Sequence, residues 1–98
     1  MKREHDPQFD WDAANIGHIA RHGVAPSEVE EVLCEEPGDL AYEEIDGEPR
    51  WTSVGHTDEL RVLVVVWTIR GEAFRPITAF DAPATVRRDY LKLKGFTG

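Results

Sequence analysis

The sequence predicts an α+β fold in which short helices at both ends of the chain pack on a central, mostly antiparallel β-sheet. Apolar residues recur with helical spacing near both termini, whereas the middle of the chain carries runs rich in valine and aromatic residues. The connections between these runs are as short as hairpin turns, which favours antiparallel pairing. A chain of 98 residues has room for one core. We therefore expect a single domain over residues 1–98, with the order β-α-α-β-β-β-β-α and four to five strands in the sheet.

Local signals predict where the first helices begin and end. Asp12 offers an N-cap to the first helix, and Gly23 supplies the left-handed residue that closes it. Ser27 and Glu30 have the spacing of a capping box, so the second helix is expected to begin there. Residues 8–11 alternate polar and apolar side chains, which is typical of an edge strand. The predicted elements of this half are a strand at 8–11, a helix at 13–22 and a helix from 27 to about 34.

The rest of the chain predicts a four-stranded meander and a final helix. Pro76 lacks an N–H for the ladder, so its strand is expected to contain a bulge or to lie at a free edge. Pro83 is tolerated in the first turn of the last helix, and Gly95 ends that helix. The predicted strands cover 40–45, 50–55, 60–69 and 73–80, and the inner stripe of the last helix is Val86, Tyr90 and Leu93.

Charge is divided unevenly along the chain. The net charge is −8, but residues 1–49 carry three bases and 14 acids, whereas residues 50–98 carry eight bases and five acids. The acidic half would attract a basic partner, and the arginine-rich half could hold phosphate. Cys34, the one cysteine, excludes an intrachain disulfide and is expected to be buried. The longest apolar run is far too short to span a bilayer, so we expect no membrane contact and a cytoplasmic protein.

Arginines and histidines are the residues that could carry chemistry. His18 and His22 are four residues apart on a helix, but the glutamate of a zincin motif is missing, and we expect neither a metal nor another cofactor. No glycine-rich phosphate loop or serine–histidine signature is present. Strand and helix arginines can bind phosphate bidentately and stabilise a phosphoryl transition state. The arginines that could act in this way are Arg50, Arg61, Arg70 and Arg75 on the predicted strands or at their ends, and Arg87 and Arg88 on the last helix.

Several segments together resemble one family. FDWDAANIGHIARHGV is similar to the opening of the BrnT family, the ribonuclease toxins of a bacterial type II toxin–antitoxin system. RWTSVG, LRVLVVVWTIRG and FRPITAF resemble the β-meander of that family, and APATVRRDYLK resembles its last helix. The resemblance runs from about residue 9 to about residue 90. It implies a RelE-like fold, metal-independent RNA cleavage that inhibits translation, and a cognate BrnA-like antitoxin that is basic and binds DNA.

The resemblance also implies roles for individual residues. Positions with catalytic roles would be His22 as acid or base, Arg61 and Arg75 for charge stabilisation, Thr78 in place of the usual serine, and Tyr90. Arg50 and Arg70 would hold RNA. Independently of the resemblance, Arg87 and Arg88 are expected to join them because they follow on the last helix, and His56 is the reserve acid or base because it lies in a turn beside the arginine strands. The chain departs from the family pattern at four positions. Pro76 replaces an aliphatic strand residue, and Val86 replaces the glutamate of the last helix. Phe80 stands where the family commonly has arginine, and Asp81 stands where it has a basic or polar residue.

The acidic segment predicts where a partner docks. Glu28, Glu31 and Glu35 lie at helical spacing, so we expect a basic antitoxin segment to dock on the second helix and the strand after it. A homo-oligomer or a toxin–antitoxin heterotetramer is compatible with this arrangement. Two other functions stay open. One is a catalytically impaired protein of this fold that binds a partner through its acidic face. The other is a small regulatory protein that binds a nucleotide or peptide on the arginine strands.

Overall fold

The computed structural model describes residues 7–96, which form three helices and one four-stranded antiparallel sheet. The strands follow one another in the sheet in chain order, β1-β2-β3-β4. This confirms the predicted α+β fold class. The elements are α1 (Ala13–Ala20), α2 (Pro26–Cys34), β1 (Gly38–Ile45), β2 (Glu48–His56), β3 (Val62–Arg70), β4 (Ala73–Asp81) and α3 (Ala84–Leu93).

The prediction of a strand at residues 8–11 is wrong, because this segment forms a single β-bridge and not a strand. Phe9 pairs in parallel with Phe74 of β4. The Phe74 N–H donates to the Gln8 carbonyl, and the Asp10 N–H donates to the Phe74 carbonyl, each at 2.9 Å. The chain then turns into α1, so the pairing cannot continue along β4.

Core residues lie on both faces of the sheet, and β3 contributes to each. Leu63 and Val65 pack with the residues of α1 and α2, whereas Val62 and Val64 pack with α3. The strand β3 is therefore buried on both of its faces. The first cluster is Ile19, Val24, Val29, Val32, Leu63, Val65 and Ala79, and the second is Val54, Val62, Val64 and Tyr90.

The helix termini confirm one cap and correct another. Asp12 accepts a hydrogen bond from the Asn15 N–H at 3.1 Å, and Gly23 adopts φ +69°, as predicted. The second helix begins at Pro26 rather than Ser27. Proline is favoured in the first turn, so Ala25 rather than Ser27 is the N-cap residue. The Ala25 N–H donates to the Glu28 carboxylate at 3.0 Å, and alanine has no side-chain oxygen to cap the helix in return.

Pro76 produces the predicted bulge. Thr78 lies opposite Val66, but Pro76 lies opposite Trp67, so one residue of β4 is left over between them. β4 is also an edge of the sheet, and the Asn15 side chain donates to the Pro76 carbonyl at 2.9 Å. The edge is therefore occupied by α1 at this point.

Two burial predictions are wrong. Cys34 is exposed, because it lies off the Val29 and Val32 face that α2 turns toward the sheet. Leu93 is 87% exposed, although Val86 and Tyr90 of the same predicted stripe pack on the sheet. Within residues 7–96, no helix is long and apolar enough to cross a membrane.

Candidate functional site

A polar cavity of about 260 Å³ opens between α1 and the end of β3. Its wall includes three arginines from neighbouring strands: Arg50 of β2, Arg70 of β3 and Arg75 of β4. Helix α1 contributes His18, and Glu48 at the start of β2 adds a carboxylate. We call this site the arginine cavity. It brings together three of the four strand arginines that the sequence predicts as functional.

The register of the strands explains why these arginines meet. Trp51 pairs with Trp67, and their rings stack with centroids 4.8 Å apart. Arg50 precedes Trp51 and Thr68 follows Trp67, so both side chains lie on the face opposite the two indoles. Arg75 is directly opposite Thr68 and therefore shares that face. Alternation along the strands thus builds one wall of the cavity.

Arg75 is held by two carboxylates of the N-terminal segment. Its side chain is only 14% exposed and contacts Asp10 at 3.4 Å and Asp12 at 3.0 Å. Asp12 also caps α1 by accepting a hydrogen bond from the Asn15 N–H. This hydrogen bond is the main cause that lowers the pKa of the Asp12 carboxyl, and the contact with Arg75 lowers it further. The charge of Arg75 is therefore largely balanced, and the residue fastens the start of α1 to β4.

The other two cavity arginines differ in how free they are. The Arg50 Nε lies 3.3 Å from the Glu48 carboxylate, and each side chain is about one third exposed. Such a pair in contact with solvent opens at little cost. Arg70 is exposed and makes no ion pair with any carboxylate of residues 7–96. Arg70 is therefore the cavity cation that is most available to an incoming anion.

The two histidines of α1 face different neighbours. His18 lines the arginine cavity, whereas the His22 ring lies 6.1 Å from the ring of Phe80, centroid to centroid. The two imidazoles are themselves 6.1 Å apart. No group of three or more histidine, cysteine, aspartate or glutamate side chains within residues 7–96 could hold a metal ion. Sequence reasoning chose His22 as the acid or base and weighed His18 only as a metal ligand, although helical spacing places both near the sheet.

Arg61 lies outside the cavity and is enclosed by its own partners. Its guanidinium binds the Asp81 carboxylate bidentately at 2.8 and 3.2 Å. Its Nη1 donates to both Glu28 oxygens at 3.0 and 3.1 Å and to the Gly23 carbonyl at 2.9 Å. We call these residues the Arg61 cluster. The cluster ties the α1–α2 turn and helix α2 to the sheet.

Within the Arg61 cluster, the guanidinium and the Asp81 carboxylate each stabilise the charged form of the other. The hydrogen bond to Asp81, then those to Glu28, raise the pKa of Arg61 above its ordinary value. The same bond lowers the pKa of the Asp81 carboxyl. The acid at position 81, where the BrnT-like pattern has a basic or polar residue, thus has a partner within the chain.

The remaining predicted residues lie away from the cavity wall. Tyr90 is 5% exposed in the α3 core, and its hydroxyl is 2.6 Å from His56 Nδ1. Burial raises the pKa of the Tyr90 hydroxyl. Thr78 is half-buried on β4. Arg87 and Arg88 are exposed on α3, and Arg88 forms an ion pair with its neighbour Asp89 at 3.5 Å.

Two of the three predicted partner-binding acids are engaged inside the molecule. Glu28 belongs to the Arg61 cluster, and Glu31 accepts a hydrogen bond from the Asp58 N–H at 3.0 Å. Glu35, in contrast, is exposed at the end of α2. The stripe that helical spacing predicted is thus divided by tertiary contacts.

The fold and the cavity together define a small α+β protein with a solvent-open site lined by arginine and histidine. The family model described as "Ribonuclease toxin, BrnT, of type II toxin-antitoxin system" matches residues 11–85. This match covers more than half of the chain, which therefore belongs to the BrnT toxin family. No curated protein matches the chain closely enough to add to this result.

Proposed function

We propose that this protein is an endoribonuclease toxin that cleaves RNA in the arginine cavity without a metal ion and thereby inhibits translation. The observation that carries the proposal is the meeting of Arg50, Arg70 and Arg75 with His18 in one open cavity, in a chain of the BrnT family. A cognate antitoxin is implied by the family and would neutralise the activity. We place the protein in the cytoplasm, where its RNA substrate lies.

The chemistry needs only proton transfer and charge stabilisation. A base takes the proton of a ribose 2′-hydroxyl, and the freed oxygen attacks the adjacent phosphorus. The bond from phosphorus to the 5′-oxygen breaks, and an acid protonates that oxygen. The products are a 2′,3′-cyclic phosphate and a 5′-hydroxyl. Cations near the non-bridging oxygens stabilise the pentacoordinate phosphate.

Cavity residues can be assigned to these roles. Arg70 would stabilise the phosphate charge, because it has no carboxylate partner among the described residues. Arg50 would join it once its exposed pair with Glu48 opens. His18 would transfer the proton, since an imidazole can act both as a general base and as a general acid. His22 stays the alternative acid or base, and Arg75 would act mainly by positioning the cavity wall.

Induced expression tests the proposal directly. We expect growth arrest and loss of bulk translation, relieved when the antitoxin is co-expressed. Purified protein should cut RNA to products with 2′,3′-cyclic phosphate ends, and EDTA should not change the rate. Arg70→Ala is the inactive control, since it removes the most available cation without touching the core. Normal growth with abundant folded wild-type protein and no RNA cleavage would refute the ribonuclease assignment.

A second candidate function is a binding module without catalysis. It is favoured by the pairing of Arg61 and Arg75 with four carboxylates, which leaves fewer cations for phosphate than the sequence contains. Such a protein would bind a partner tightly, cause no growth arrest and leave RNA intact. The expression experiment therefore distinguishes the two functions.

A further inference from the structure

The outer edge of β1 is open. β1 is the first strand of the sheet, and within residues 7–96 only β2 pairs with it. All of its eight residues except Gly38 are exposed. An edge strand of this length presents unpaired N–H and C=O groups that can pair with another chain.

The opposite edge of the sheet is covered. On β4, Phe9 bridges Phe74, and Asn15 of α1 donates to the Pro76 carbonyl. Proline itself offers no N–H to a further strand. Strand addition is therefore directed to β1.

An apolar groove lies next to the start of β1. It has a volume of about 260 Å³ and runs between Leu40 and the α3 residues Val86 and Leu93. Leu40 is the extra residue of a bulge, since Asp39 lies opposite Ser53 and Ala41 lies opposite Thr52. Leu40 is 48% exposed and Leu93 is 87% exposed, so the groove leaves apolar surface in contact with water.

The charge of this region indicates what would cover it. Asp39, Glu43 and Glu44 lie on β1, and none of them forms an ion pair with a lysine or arginine of residues 7–96. Pairing of β1 with β1 of a second copy would bring these carboxylates together, which is unfavourable. A segment with lysine or arginine side chains would instead meet complementary charge.

We propose that β1 accepts an extended, basic segment of a partner protein as an additional strand, with one apolar side chain of that segment seated in the groove beside α3. Backbone pairing would supply affinity, while the groove and the acidic side chains would supply specificity. The identification of the partner as an antitoxin rests on the proposed function, but the surface and its chemistry do not.

Peptide binding provides the test. The probe is a peptide of about eight residues, matched to the length of β1, with alternating lysine and valine, and its control alternates glutamate and valine. Binding is measured by fluorescence anisotropy, and amide hydrogen exchange by NMR. We expect the basic peptide to bind and to slow exchange in β1, and the acidic peptide not to bind.

Matched variants separate the surface from general electrostatic attraction. Glu43→Lys/Glu44→Lys should weaken binding about tenfold at low salt, and the difference should shrink at about 0.5 M salt. Glu59→Lys/Glu72→Lys changes the net charge equally at exposed turns and should weaken binding about twofold or less. Leu93→Ser should weaken binding at both salt concentrations, whereas the exposed Ile69→Ser should not.

Three outcomes would overturn the proposal. One is equal weakening by the two charge-reversal variants, and another is unchanged exchange of β1 amides in the peptide complex. The third is a dimer of the protein alone in which β1 amides are protected, since a second copy would then occupy the edge. None of these readouts involves RNA, so a protein without ribonuclease activity could still pass this test, and an active ribonuclease could fail it.

Discussion

Arg61 immediately precedes β3 and Arg70 is its last residue. The two lie roughly 30 Å apart for nine residues of extended chain, and their surroundings are opposite. Arg61 is enclosed by Glu28, Asp81 and a carbonyl, with its side chain 28% exposed. Arg70 is exposed and has no carboxylate partner among the described residues. Hydrogen bonds within the chain thus use the donors of one arginine and leave those of the other for a ligand.

The two histidines are divided in the same way between the arginine cavity and the Arg61 cluster. Substituting each of them is expected to give the largest difference between the two regions. His18 lines the cavity of Arg70, whereas His22 precedes Gly23, whose carbonyl belongs to the Arg61 cluster. His18→Gln should lower RNA cleavage by about 10²–10⁴-fold and remove one limb of the pH–rate profile, because it removes the group that transfers the proton. His22→Gln should preserve that profile. If only the His22 variant loses the limb, the catalytic centre lies at the Arg61 end.

Substituting Arg70 and Arg61 compares how much each arginine contributes to the rate of RNA cleavage. Arg70→Ala should lower the cleavage rate about 100-fold, because it removes a donor to the transition-state phosphate. Arg61→Ala should leave the rate per folded molecule within about threefold, since its guanidinium already has three partners. Single-turnover cleavage, normalised to the folded fraction, measures both. Loss of cleavage in a folded Arg61→Ala protein would contradict this division.

The free energy of unfolding should respond in the reverse order, with a larger loss in Arg61→Ala than in Arg70→Ala. Arg61→Ala leaves Glu28, Asp81 and the Gly23 carbonyl without their donor, so we expect the free energy of unfolding to fall by about 2 kcal/mol. The value lies below that of a fully buried pair because the cluster is partly exposed. Arg70→Ala should change it by no more than about 0.5 kcal/mol. Urea denaturation compares the two, and equal losses would show that the cluster does not stabilise the fold.

The smallest expected effect is on acid stability. The pKa of Asp81 is lowered in the folded protein, so its contribution is present above the ordinary value of 3.8 and is lost as the pH falls through the folded value. Asp81→Asn should therefore be less stable than the wild type at neutral pH and should lose less stability below about pH 4. Thermal denaturation over a pH series measures this slope. A variant whose slope equals that of the wild type would show that Asp81 is not the group concerned.

Local signals in the sequence predicted most of the fold. Asp12, Gly23 and Pro76 each act through their own backbone or an adjacent turn, and the cap, the left-handed residue and the bulge are all present. The second helix was misplaced because Pro26 competes with Ser27 for its first turn. The burial of Leu93 was wrong because helical spacing does not show how far the neighbouring strand extends beneath the helix.

The site was less predictable because its arrangement depends on distant pairs. The arginines could be selected by residue type and strand position, and three of them meet in the cavity. Which arginine is free depends on Glu28 and Asp81, which lie 33 and 20 residues from Arg61 in sequence. His18 was passed over for a similar reason, since the cavity that it lines is formed by residues from three strands.

The difference between the two edges of the sheet also limits how the protein can assemble. Filaments that grow by strand addition need two usable edges on every molecule, so that each newly added copy offers a fresh end to the next one. Here the bulged β4 edge, with its proline and the bridge from Phe9, cannot serve as the second end. Any assembly through β1 must therefore stop after one addition, which makes the molecule suited to finite complexes and resistant to open-ended polymerisation.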